Sequence, residues 1–101
     1  MNQSESRAWI FLDKQEFKLF KEGISIPEIE YDLAQCKPDS DGDFGLYLTF
    51  DQLDKAHKQA SLLVDDSPTR KQRELWDKIW VQLGNALDEA AFEAEEQRRG
   101  I

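Results

Sequence analysis

The sequence predicts a small α+β domain: a three-stranded antiparallel sheet, in the order β-α-β-β-α-α, with its helices packed on one face. Three observations predict it. Two short stretches, 28–33 and 44–50, alternate in character with the period of two that a half-buried strand shows. A third, Ala8-Trp9-Ile10-Phe11-Leu12, is apolar throughout and rich in β-formers. Two longer stretches in the second half repeat apolar residues every three or four positions, the period of a helix that buries one face.

Taken in order, Ala8–Leu12 is apolar on both faces and is expected inside the sheet. Asp13 then has the character of an N-cap, and Glu16 three positions later completes a capping-box pattern. The helix it opens carries Phe17 and Phe20 and is expected to end near Glu22, with Gly23 as the glycine that closes it. Pro27 bars central-strand pairing in the extended stretch that follows. From Glu28, Ile29, Tyr31 and Leu33 point one way and Glu28, Glu30 and Asp32 the other. The Pro/Asp/Gly-rich stretch 37–43 then reads as the loop of a β-hairpin whose second strand holds Phe44, Leu46, Leu48 and Phe50.

Thr49 and Gln52 stand in capping-box relation at the start of a helix carrying Leu53, Ala56, Ala60, Leu63 and Val64. Ser67-Pro68 reads as an N-cap followed by proline at the first helical position. The last helix places Trp76, Ile79, Trp80, Leu83 and Leu87 on one stripe expected to face the core, with Gly84 inside it and an alanine-rich end beyond. With 101 residues, 40% of them apolar, one core suffices, so residues 1–101 are read as a single domain with frayed ends at 1–6 and about 96–101.

Charge and chemistry narrow the function. Twenty-one acids against thirteen bases give a net charge of −8, which disfavours direct nucleic-acid binding and attachment to anionic membranes. Cys36 and His57 are single residues of their type, so no intramolecular disulfide forms and no zinc set of the usual spacing exists. No phosphate-cradling glycine loop or nucleophile motif occurs. The chain is therefore read as non-enzymatic, with no cofactor and no metal. Its polar start and lack of a long apolar run make the cytoplasm the expected location.

The acidity is local. Residues 28–54 hold eight acids and one base, a net of −7. The expected hairpin would display Glu28, Glu30 and Asp32 on its outer strand face, Asp39, Asp41 and Asp43 in its loop, and Tyr47 on the neighbouring strand, with Trp9 or Ile10 outward from the first strand according to its phase. Carboxylates mixed with large aromatics suit a protein interface, although acidic outer faces also serve solubility and block edge pairing. The resulting expectation is an acidic binding protein that inhibits or neutralises a basic protein partner, a toxin nuclease or a nucleic-acid-binding enzyme. By analogy of size and charge, bacterial or phage immunity proteins, antitoxins and nucleic-acid mimics work in this way. Glu28, Glu30, Asp32, Asp39, Asp41 and Asp43 would stand in for phosphates, with Tyr47 and Trp9 as anchors.

Two alternatives belong to other classes. One is a divalent-cation-responsive module built on Asp39-Ser40-Asp41-Gly42-Asp43, which is similar to the first five positions of a calcium-binding loop, although Phe44 stands at the sixth and Phe50 at the twelfth, where glycine and glutamate are needed. The other alternative is a homodimer paired through the alanine-rich last helix. That helix also opens on Arg70, Lys71 and Arg73 against its dipole, a cost that either pairing with the acidic hairpin or contact with a partner would relieve.

Overall fold

A computed structural model describes the backbone of residues 6–99 and the side chains through Phe92. Six elements follow one another: β1 (Arg7–Leu12), α1 (Lys14–Gly23), α2 (Pro27–Gln35), β2 (Phe44–Thr49), α3 (Phe50–Asp66) and α4 (Arg70–Arg99). The α+β class holds, but the sheet has two strands among the described residues, not three. β1 and β2 pair antiparallel, from Arg7 opposite Thr49 to Leu12 opposite Phe44.

The expected strand at 28–33 is a helix, and with it the expected hairpin disappears. Pro27 sits in the first turn of α2, where its missing N–H costs nothing, and Glu28 and Glu30 lie in the turn that favours anions. Ile29 and Leu33, four apart, turn inward together, whereas Tyr31, which a strand would have put beside them, is 75% exposed. Ile29, Tyr31 and Leu33 fit a period of two on paper. Burial follows the helical spacing instead, and Pro27 stands at the position where proline starts a helix well.

Both capping boxes form. Asp13 Oδ1 accepts from Glu16 N at 2.8 Å and Glu16 Oε1 accepts from Asp13 N at 2.9 Å. Thr49 and Gln52 make the same reciprocal pair at the head of α3. The start of α4 moves by two residues. Thr69 is its cap, accepting from Gln72 N at 3.1 Å, while the Ser67 hydroxyl turns back and donates to Leu63 O at 2.7 Å. Ser67-Pro68 is thus the connector that reverses the chain between α3 and α4.

The core lies between the inner face of the β1–β2 ribbon and the helices. Ile10 and Leu12 from β1, Phe20 from α1, Ile29 from α2, Leu53 from α3 and Ile79 and Leu83 from α4 are fully buried, with Ile26 from the connector. The most extensive contact between elements is α3 with α4. Alanines line it: Ala56, Ala60, Ala86 and Ala90 are all buried, so the alanine-rich run of α4 packs within its own fold through Ala90. Phe92 is exposed, and of the frayed ends expected at 1–6 and about 96–101, residues 1–5 and 100–101 lie outside the described residues. At 96–99 the backbone is helical, and Ser6 is buried, its carbonyl accepting from Phe50 N at 2.8 Å. No helix among the described residues is long and apolar enough to cross a membrane.

Candidate functional site

Alternation along β1 settles its phase. Ala8, Ile10 and Leu12 face the core, and Arg7, Trp9 and Phe11 face out. Across from them β2 turns Leu46 and Leu48 inward and Tyr47 outward. All four helices serve the inner face, so the outer face of the ribbon carries Trp9 (53% exposed), Phe11 (52%) and Tyr47 (48%) into solvent. The run that read as apolar on both sides because it lay within a larger sheet is apolar on both sides because its second side is an exposed aromatic surface.

Three features hold this surface in shape. The Ser6–Phe50 bond fixes the ladder so that Arg7/Thr49, Trp9/Tyr47 and Phe11/Gly45 are the non-hydrogen-bonded pairs, whose side chains come closest. Trp9 and Tyr47 accordingly lie with ring centroids 4.9 Å apart, and Trp9 and Phe11 stack at 5.9 Å with an interplanar angle of 11°. Gly45 lets them do so: a Cβ there would stand 3.2 Å from both Phe11 Cε1 and Trp9 Cζ3. The outward amide of Phe11 is taken by Gln82 Oε1 of α4 at 3.1 Å, tying the edge of β1 to the long helix. Arg7 closes the row with its guanidinium carbon 5.7 Å from the Tyr47 ring centre.

Of the residues named from sequence, the structure brings Trp9 and Tyr47 together. The acids do not form one face. Glu28 and Asp32 lie four apart on α2, and Glu30 lies well round the helix from both. Glu28 is paired with Lys55 of α3 at 3.1 Å; its own backbone amide, then Lys55, hold its carboxyl below the ordinary value. Glu30 and Asp32 are exposed and make no ion pair among the described residues. Asp39 is turned into its own loop, its Oδ1 accepting from the amides of Asp41 at 2.9 Å and Asp43 at 3.0 Å. Gly42, at φ 84°, makes the reversal that this turn requires. An aspartate so engaged organises the turn, and no three described His, Cys, Asp or Glu side chains come together as metal ligands would.

Phe11 was missed. The signal for it was present, since it shares the period-two phase of Trp9, but that phase only becomes definite once Ala8, Ile10 and Leu12 are known to face the helices. Cys36 caps the end of α2, half-buried, and its thiol donates to Gly45 O at 3.6 Å. Burial pushes that thiol up, with Lys21 opposing the shift in part, so it remains a protonated donor. His57 stacks on Trp80 between α3 and α4, ring centroids 5.0 Å apart, and lies in a different cleft from Cys36. The basic start of α4 does not pair with the acidic segment: Arg70 bridges Glu74 on its own helix at 3.4 Å, and Lys71 faces a groove beside α1.

No family model, curated protein or solved structure matches this chain.

Proposed function

We propose that the protein is a non-enzymatic binding domain that docks a basic protein partner on the outer face of its β-ribbon and holds that partner inactive. One observation carries the reading: Trp9, Phe11 and Tyr47 form a contiguous row on a sheet face that none of the described elements covers. Exposed aromatic rows of this kind mark interaction surfaces, and Trp and Tyr supply most of the binding energy at such surfaces. The net charge of −8 selects a cationic partner, a toxin nuclease or nucleic-acid-binding enzyme among them.

The division of labour differs from a ladder of phosphate mimics on one strand. In this reading the rings set affinity by being desolvated, while Glu30, Asp32, Asp41 and their neighbours steer the encounter from outside the contact. A single thiol with no pairing partner suits a reducing cytoplasm.

The test immobilises the protein and the Trp9→Ser/Tyr47→Ser variant side by side against host lysate at low and at moderately high salt. A basic protein held by the parent, released by salt and lost from the variant supports the proposal. Equal retention on the variant removes the ribbon face from the mechanism, and retention of no basic protein at either salt overturns the reading. Once the partner is in hand, Trp9→Ser is expected to weaken binding by about 2 kcal/mol or more, the scale of an interface hot spot. Glu30→Gln/Asp32→Asn is expected to slow association and flatten its salt dependence.

A further inference from the structure

Three of the thirteen cations of this acidic chain share one short helix. Lys14, Lys18 and Lys21 fall at spacings of four and three along α1, one stripe of that helix, and none makes an ion pair among the described residues. They edge a cleft of about 360 Å³ between α1 and the chain from Cys36 to Phe44. Its apolar lining is Phe17 and Phe44, whose rings stack at 4.0 Å and within 5° of parallel, with the Cys36 thiol beside them. Lys21 Nζ stands 5.6 Å from the centre of the Phe17 ring. Glu22 is the single acid of the lining. Lys18 also borders the neighbouring groove, whose lining includes Lys71 from the start of α4 and again Glu22 as its acid. The cationic opening of α4, unfavourable for its own helix dipole, thus adds to the same positive side.

Like charges at these spacings destabilise a helix, and a chain already at −8 has no need of a cationic stripe for solubility. A cleft with the part-exposed Phe44 ring on its apolar side and lysines along one rim is complementary to one kind of ligand. We propose that this cleft binds a small amphiphilic anion: a carboxylate, sulfonate or phosphate carried on a planar apolar body of one or two rings. The volume lies at the small end of ligand pockets, which limits the body to that size. The anionic group meets Lys18 and Lys21, and the ring body lies against Phe44. The inference stands apart from the ribbon face, which shares no residue with the cleft.

Fluorescence titration of the folded protein with anilinonaphthalene sulfonate tests it, using neutral phenylnaphthylamine and inorganic phosphate as comparison probes. Saturable one-site binding is expected, weakened about tenfold or more in Lys18→Gln/Lys21→Gln, as the loss of charge-assisted contacts entails. Trp9→Ser/Tyr47→Ser is expected to leave it unchanged, and the neutral probe to bind about tenfold more weakly. Amide shifts on titration should concentrate at residues 14–22, Cys36 and Phe44. Equal affinity in the lysine variant, equal affinity for the neutral probe, or loss of binding in the Trp9/Tyr47 variant instead would each overturn the proposal. Displacement of the dye by inorganic phosphate at similar concentration would overturn the requirement for an apolar body.

Discussion

At Gly23 the last turn of α1 comes so close to Trp76 that a Cβ would stand 2.7 Å from ring atom Cζ2, 2.9 Å from Cη2 and 3.0 Å from Leu63 Cδ1. The glycine is there for this approach, not for a left-handed turn, since Ile24 caps the helix in an extended conformation. Gly23→Ala is therefore expected to destabilise by about 1–3 kcal/mol, as overpacking against a buried ring does, despite alanine's better helix propensity. An unchanged denaturation midpoint would show that Trp76 can move aside. Glu16 makes a different point. It is buried, and burial pushes its carboxyl above the ordinary 4.5, with the bond from the Asp13 amide pulling the other way. A raised folded-state pKa means that ionised Glu16 is held less well by the fold than by the unfolded chain. Its stabilising contribution is thus complete below 4.5 and is lost as pH rises through the raised value. Glu16→Gln keeps the capping oxygen and removes the charge, so it should flatten that part of the pH–stability curve and match or exceed the parent at neutral pH. A variant clearly less stable than the parent at neutral pH would contradict this. The Asp13–Glu16 box was legible in sequence because its partners are three residues apart; the contact of Gly23 with Trp76 spans most of the chain and was not.

Among the elements, α1, α3 and β2 could be read closely because each carries a local start signal or a clear period. Residues 27–35 could not, since Ile29, Tyr31 and Leu33 satisfy a strand's alternation while Ile29 and Leu33 alone satisfy a helix. What decides is which set the rest of the fold buries, and α2 buries two of the three. In the same way Ser67 and Thr69 are both competent caps, and the helix takes the one left after Ser67 is used on Leu63 O. α4 runs without interruption through Gly84, where an added Cβ would meet His57 no closer than 3.5 Å, an ordinary contact. Gly84→Ala is expected to stabilise by about 1 kcal/mol, the helix-propensity difference. In a domain of this size that raises the melting midpoint by roughly 4–8 °C. No rise would mean that the His57–Trp80 stack is disturbed by even that methyl.

Over the whole molecule, the ribbon and the charges take opposite sides of one question: what the fold keeps for itself and what it leaves to a partner. Ile10 and Trp9 are neighbours in sequence, yet Ile10→Ala should cost about 2–5 kcal/mol, as a core truncation does. Trp9→Ser loses mainly a cross-strand pair worth about 0.2–1 kcal/mol. Chemical denaturation of the two variants reads that difference, and similar losses would mean that the outer face is part of the stabilising core. The acids behave likewise: Glu28 and Asp39 are engaged within the fold, whereas Glu30 and Asp32 answer to no cation among the described residues.

Local chemistry lies within a few residues of its cause, and so the sequence alone determined the two capping boxes, the strand at Phe44–Thr49, the inward stripes of α3 and α4 and the concentration of acid between 28 and 54. Three matters were left to the tertiary structure: that 27–35 is a helix, that β1 pairs with β2 across an intervening α1–α2 connection, and that Trp9, Phe11 and Tyr47 share a face that none of the described elements covers. Each depends on which surfaces meet once the chain has closed on itself. An alternating or an all-apolar run states how many faces want burial. Only the packing of the helices states which face receives it.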